Sequence, residues 1–243
     1  MTPDHIHRKI RIADLLRSGV LICFVCFGLT GGAQGQEYYR INADFTVKIK
    51  RGDGSMNLTR GVVYYDKNIR ELIYRLSFPQ PEVWVIADTS MFKSRADTLY
   101  ERTTIPSINE FTVFHLSLNS GISDYGLKKS MYKVSRVEKK NDQVLSYWKI
   151  PDRVESSIDH VILANKENRL ESVIMVGDES KILSRQFFRD WERIGAFEFP
   201  RQIVQILPDE EGNDNYQVTE FENIRVNDME HEELFRFRSA LTN

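Results

Sequence analysis

INADFTVKIK, residues 41–50, is the stretch on which the fold turns. Ile41, Ala43, Phe45, Val47 and Ile49 alternate with Asn42, Asp44, Thr46, Lys48 and Lys50. Successive side chains of an extended chain point to opposite faces, so this is a strand with one buried side and one wet side. Gly52-Asp53-Gly54 turns it back. A β-branched and aromatic run through Val62, Val63, Tyr64 and Tyr65 follows and ends at the turn cluster Asp66-Lys67-Asn68. Leu72, Tyr74, Leu76 and Phe78 then make the apolar face of a third strand, which Pro79 and Pro81 stop because proline has no N–H to give a ladder. Residues 82–88, around Trp84, read as a fourth.

The same period returns after residue 130. Strands are expected at 131–139, 144–150, 158–164, 170–176, 182–190, 199–207 and 216–226, separated by short polar turns such as Lys140-Asn141-Asp142 and Gly177-Asp178-Glu179. Roughly ten to twelve strands joined this tightly specify a mainly β, antiparallel sheet that curls into a sandwich, barrel or half-barrel, since parallel crossovers need a dozen or more residues. One helix is predicted over 107–119. Ser107 and Glu110 have the spacing of a capping box, Pro106 cannot continue a helix backwards, and Gly121 is placed to end it. Ile108, Phe111, Phe114 and Leu118 form one stripe at spacings of three and four. A fixed cover over the sheet and a mobile lid both fit that stripe.

The first 35 residues differ in kind. Arg8, Lys9, Arg11 and Arg17 against Asp4 and Asp14 leave this end at +2, and an apolar run from Val20 to Leu29 follows. The run is shorter than the roughly 17 residues a membrane helix requires. With small residues Ala33 and Gly35 before Gln36, it has the pattern of an export signal cut near Gly35/Gln36. A short buried helix is the competing reading. The expected organisation is therefore a signal peptide at 1–35 and a single β domain at 36–243. Both cysteines, Cys23 and Cys26, fall inside the signal, and neither follows the small residues that lipid modification needs. The exported chain would rest on packing rather than disulfides. It would carry 29 basic and 33 acidic residues, with no basic stripe able to track a phosphate backbone, so nucleic acid is not an expected partner.

Catalytic patterns are missing from the sequence. There is no G-x-S-x-G, H-E-x-x-H, Walker loop or G-x-G-x-x-G, and His115, His160 and His231 are far apart. The acidic run Asp209–Asp214 has its glycine at the fourth place rather than the sixth, so it reads as a solvated turn and not as an EF-hand. No enzyme activity, metal or cofactor is expected. What remains is aromatic content, for which ordinary core and pocket lining are both open readings.

In order along the chain, the first strand ending in Gly52-Asp53-Gly54, the run Gly61-Val62-Val63-Tyr64-Tyr65-Asp66, and Ser77-Phe78-Pro79 leading into residues 82–88 resemble the periplasmic lipoprotein carriers, the LolA/LolB-like proteins. The stretches 170–175, 187–190 and 197–203 are similar to that family's closing hairpins, so the resemblance covers nearly all of 37–238. It implies an open half-barrel of antiparallel strands with one or two helices over an apolar concavity, located in the periplasm. It also implies a non-catalytic carrier or sensor whose partners are lipid or lipoprotein acyl chains and, in addition, envelope membrane proteins. Phe45, Val47, Tyr65, Leu72, Tyr74, Trp84, Phe111, Phe114, Leu118, Trp148 and Phe187 are the residues expected to line the concavity. On this reading Phe114→Asp removes lipid uptake and leaves the sheet folded. The alternatives are an envelope protein-interaction module whose cup is filled by its own side chains, and an enzyme without a recognisable motif.

Overall fold

Alternation in the sequence becomes thirteen strands of one open antiparallel sheet. The computed structural model describes residues 37–237 apart from 97, 106–111, 152, 153 and 155. The segment 1–35 expected to direct export, the expected cleavage point, the Ser107/Glu110 capping box and Phe111 therefore lie outside the described residues. The strands are β1 (Arg40–Lys50), β2 (Met56–Asp66), β3 (Glu71–Phe78), β4 (Glu82–Ala87), β5 (Ser90–Arg95), β6 (Thr98–Thr104), β7 (Lys133–Lys140), β8 (Gln143–Lys149), β9 (His160–Lys166), β10 (Arg169–Val176), β11 (Ile182–Ile194), β12 (Phe197–Pro208) and β13 (Asp214–Val226). Their order is β6-β5-β4-β3-β2-β1-β13-β12-β11-β10-β9-β8-β7. Two meanders, β1–β6 and β7–β13, are thus fused where β1 pairs with β13.

Cross-strand pairing settles which side of each strand is which. Directly opposed residues share a face, so Ile41, Tyr65, Leu72 and Ile86 form one row across β1–β4. Ala43, Val63, Tyr74 and Trp84 form the next row, and Phe45, Gly61 and Leu76 the one after. This inner face carries the main core, joined from the other meander by Trp148, Val161, Leu163, Leu170, Val173, Phe188, Phe199 and Phe221. The doubly apolar run of β2 divides between the faces: Val63 and Tyr65 point inward, while Val62 and Tyr64 belong to a second cluster on the outer face. A C-terminal segment covers that outer cluster. Phe235, from a 3-10 turn at Glu232–Phe235, packs with Tyr64, Ile73 and Val85, and Leu234 and Phe237 join it.

The chain leaves β6 at one sheet edge and enters β7 at the other, and its described part on the way lies against the inner face. Helix α1 (Val113–Leu118) begins at Thr112, whose Oγ1 accepts from the His115 N–H. It ends where the Gly121 N–H reaches the Leu116 carbonyl at 2.8 Å, with Ser120 left-handed at φ 54°. Gly121 therefore closes the helix as expected, with Ser120 taking the strained position. Phe114, Leu116, Ser117 and Leu118 are buried, so α1 is a cover set into the core.

Two expectations about strands need correction. The stretch 90–104, to which the sequence reading assigns no element, is the β5–β6 hairpin. Phe78, expected on the apolar face of β3, is 46% exposed. The β2–β3 register slips between Arg60 and Gly61, so that Arg60 opposes Phe78 while Gly61 opposes Leu76. The extra residue, Ser77, breaks the alternation. Gly61 is required at that slip, because a Cβ there would stand 2.1 Å from the Arg75 carbonyl oxygen.

Candidate functional site

An apolar hollow of about 340 Å³ opens on the inner face, beyond the end of the sheet that α1 covers. Its walls come from the continuing rows of β1–β5 and β13. Phe45, Val47 and Ile49 descend β1, Tyr74 and Leu76 lie on β3, Trp84 and Ile86 on β4, and Met91 on β5. Thr59, Gln217, Thr219 and Phe221 complete the lining, which contains no charged residue among the described ones. Burial pushes the Tyr74 phenol up to about 12, so it stays neutral at every physiological pH. The volume falls at the low end of the roughly 300–1,000 Å³ usual for small-molecule sites.

Four of the residues expected from the sequence line this hollow: Phe45, Val47, Tyr74 and Trp84. Five others sit elsewhere in the core. Tyr65 and Leu72 are fully buried near the helix end, with the Tyr65 hydroxyl 2.7 Å from His115 Nδ1. Phe114 stacks on Phe199 at 5.6 Å and meets Phe221 edge-on at 5.4 Å, Leu118 is buried beside it on α1, and Trp148 is buried on β8 with its Nε1–H donated to Ser146. Phe187 departs from the expectation. Phe188 belongs to the inner core and pairs with Ile203, so Phe187, opposite Val204, takes the outer face, where Arg189 lies 5.8 Å from its ring. Ile49, Leu76, Ile86, Met91, Gln217, Thr219 and Phe221 lie outside the expected lining. For Ile49, Leu76 and Ile86 the signal is present in the sequence, since each continues the alternation of an expected residue.

A polar knot bounds the hollow beside Trp84. Glu82, on the same side of β4 as Trp84, is nearly buried at 8% exposure. Its carboxylate accepts from Trp84 Nε1 at 2.7 Å, Tyr100 Oη at 2.9 Å, Gln80 Nε2 at 3.0 Å and the Arg95 guanidinium. Lys93 lies 5.2 Å over the Trp84 ring and pairs with Glu101. Burial alone would raise the Glu82 carboxyl, but the hydrogen bonds from Arg95, Trp84 and Tyr100 outweigh it and hold the group below the ordinary value of 4.5. A carboxyl depressed on folding stabilises the fold above its unfolded value and loses that contribution as pH falls through the lower folded one. Glu82→Gln is therefore expected to lower the melting temperature at neutral pH, with the difference from wild type shrinking below about pH 4. Thermal melts across that range check it, and a difference independent of pH would refute the assignment.

His115, His160 and His231 remain apart, on α1, on β9 beside Asp159, and in the exposed C-terminal turn. Among the described residues, no group of three or more His, Cys, Asp and Glu side chains is placed to hold a metal ion. The run Asp209–Asp214 folds on itself, with Asp209 Oδ1 accepting from the Glu211 and Asn213 N–H groups.

No family model matches the sequence, and no curated protein matches it significantly. Solved structures do match in shape. A LolA superfamily protein from Nitrosomonas europaea aligns over 84% of this chain and 91% of its own at 14% identity, with a TM-score of 0.54. A DUF1329 family protein from Desulfovibrio piger aligns over 90% and 96% at 13% identity, with a TM-score of 0.56. An outer membrane lipoprotein-sorting protein domain from Vibrio parahaemolyticus aligns over 90% and 97% at 12% identity, also at 0.56. At such identities it is the open-sheet architecture that is shared.

Proposed function

Taking the LolA-like fold as the premise, we propose that this chain is a non-catalytic carrier or sensor of the cell envelope that holds a lipid or lipoprotein acyl chain in the hollow between β1, β3, β4, β5 and β13. The observation that carries this reading is the uncharged lining, in which Phe45, Val47, Tyr74, Trp84 and Met91 border open space. Each methylene moved from water into such a lining contributes about 0.8 kcal/mol without any polar contact. Export through the segment 1–35 and a periplasmic location belong to the same proposal, as do envelope membrane proteins that would donate or receive the lipid. Two of the solved relatives support it by their descriptions, one as a LolA superfamily protein and one as a lipoprotein-sorting domain.

Native mass spectrometry of the protein with a lysophospholipid tests the proposal, with one acyl ligand per chain expected. Thr219 faces Val47 across the β1–β13 pair inside the hollow. Thr219→Trp fills the space of several methylenes. Excluding about four of them forfeits ~3 kcal/mol, roughly a hundredfold in affinity. A folded Thr219→Trp variant that binds as well as wild type would sink the assignment of the site. The second reading, an interaction module with a filled cup, draws on the Phe114, Phe197, Phe199 and Phe221 rings that occupy the middle of the inner face. A wild-type chain that stays free of lipid would favour it.

A further inference from the structure

The edge hairpin β7–β8 and the turn before it concentrate positive charge in a chain whose formal net charge is −2. Lys128, Lys129, Lys133, Arg136, Lys139, Lys140 and Lys149 stand against Glu138 and Asp142 alone in residues 128–149. Among the described residues, Lys129, Lys133, Lys139 and Lys140 make no ion pair, whereas Lys128, Arg136 and Lys149 each have a carboxylate within reach. Lys133 lies directly opposite Lys149 across the ladder. Like charges so placed disfavour the pairing.

Apolar side chains share this corner. Val134 opposes the buried Trp148, so it points to the inner face, and Val137 opposite Ser146 and Val144 opposite Lys139 continue that face outward. They are nevertheless 47%, 59% and 43% exposed, and Met131 in the preceding turn is 53% exposed. The greasy side of the sheet thus runs past its covered core and ends open at an edge ringed by lysines. Lysine on an edge strand ordinarily blocks pairing with another sheet. That accounts for the charges but not for three exposed valines on the same two strands.

We propose that the β7–β8 hairpin and its preceding turn dock on an anionic phospholipid surface, the lysines meeting headgroup phosphates while Met131, Val134, Val137 and Val144 enter the interface. Basic residues beside an apolar face are the chemistry that such a surface selects. The proposal does not depend on the hollow being loaded. Vesicle flotation of the exported chain, purified from the envelope fraction, tests it, with phosphatidylcholine vesicles compared against vesicles containing phosphatidylglycerol. Binding is expected only with the anionic lipid and is expected to weaken as salt rises. Lys133→Glu/Lys139→Glu/Lys140→Glu is expected to lower the bound-to-free ratio at least about tenfold. Val134→Ser/Val137→Ser should weaken binding with the charge intact. Thr219→Trp, which blocks the hollow, should bind vesicles like wild type, so failure of this surface and failure of the lipid site are told apart. All variants are exported and purified in the same way, so that the basic and apolar segment 1–35, which would itself bind vesicles, is removed from each and the differences report on the hairpin. A triple variant that melts like wild type and still floats with anionic vesicles would overturn the proposal. So would a wild-type chain that ignores such vesicles and binds an acidic peptide instead.

Discussion

Phe114→Ala is expected to cost about 3–5 kcal/mol of folding stability, the range for deleting a buried phenylalanine. Phe114 is 2% exposed and is enclosed by Phe199, Phe221 and Tyr65 at ring separations of 5.4–6.4 Å. No backbone shift can close the void, because its walls come from β2, β12 and β13, which the sheet ladder holds in place. Urea denaturation followed by tryptophan fluorescence measures the loss. A change below about 1 kcal/mol would mean that α1 lies loosely on the sheet. Phe114→Asp should unfold the protein outright, the opposite of the sequence-based expectation that it would spare the sheet. The stripe of α1 is core. A lid made by α1 would have to withdraw Phe114 from these rings on every opening, at a comparable cost. No α1 residue lines the hollow, so filling it does not require that movement.

The elements legible in the sequence are those with one wet and one dry side. In β1 the alternation Ile41, Ala43, Phe45, Val47 is the observed inner face, and its extension through Tyr74 and Trp84 reaches the hollow across neighbouring strands. β6 is illegible for the same reason in reverse. Thr98, Tyr100, Arg102, Thr103 and Thr104 are exposed and Leu99 and Glu101 only half-buried, so this edge strand has no fully dry side to mark it. Phe187 and Phe188 are identical neighbours, and which one turns inward depends on register slips such as that between Met175 and Val176, which only the paired strands define. Gln217 and Thr219 are polar, so nothing in composition marks them as walls of an apolar hollow. The C-terminal turn at Glu232–Phe235 is too short to carry a helical period, and Phe235 becomes legible only once Tyr64, Ile73 and Val85 are seen to face it.

That turn is held down by a buried ion pair, and Asp66→Ala is expected to cost about 3–5 kcal/mol, because it strands a guanidinium away from water. Arg40 and Asp66 oppose each other in the β1–β2 register and are 5% and 2% exposed. Asp66 Oδ2 accepts from Arg40 Nη2 at 3.0 Å and from Nε at 3.2 Å, and the guanidinium lies 4.7 Å from the Phe235 ring. Arg40 also donates to the Asp228 carbonyl at 3.4 Å, so one side chain ties β1, β2 and the C-terminal segment together. Removing the carboxylate leaves a charge that must either stay unpaired or swing outward and take its cover off Phe235. Removing both partners leaves no charge to strand, so Arg40→Met/Asp66→Ala should recover most of the loss. Urea denaturation of the two single variants and the double variant measures the coupling, and limited proteolysis of Asp66→Ala should show early cleavage within 228–237. Additive losses in the double variant would mean that Arg40 and Asp66 act separately, and that apolar contact alone fixes the C-terminal segment to the sheet.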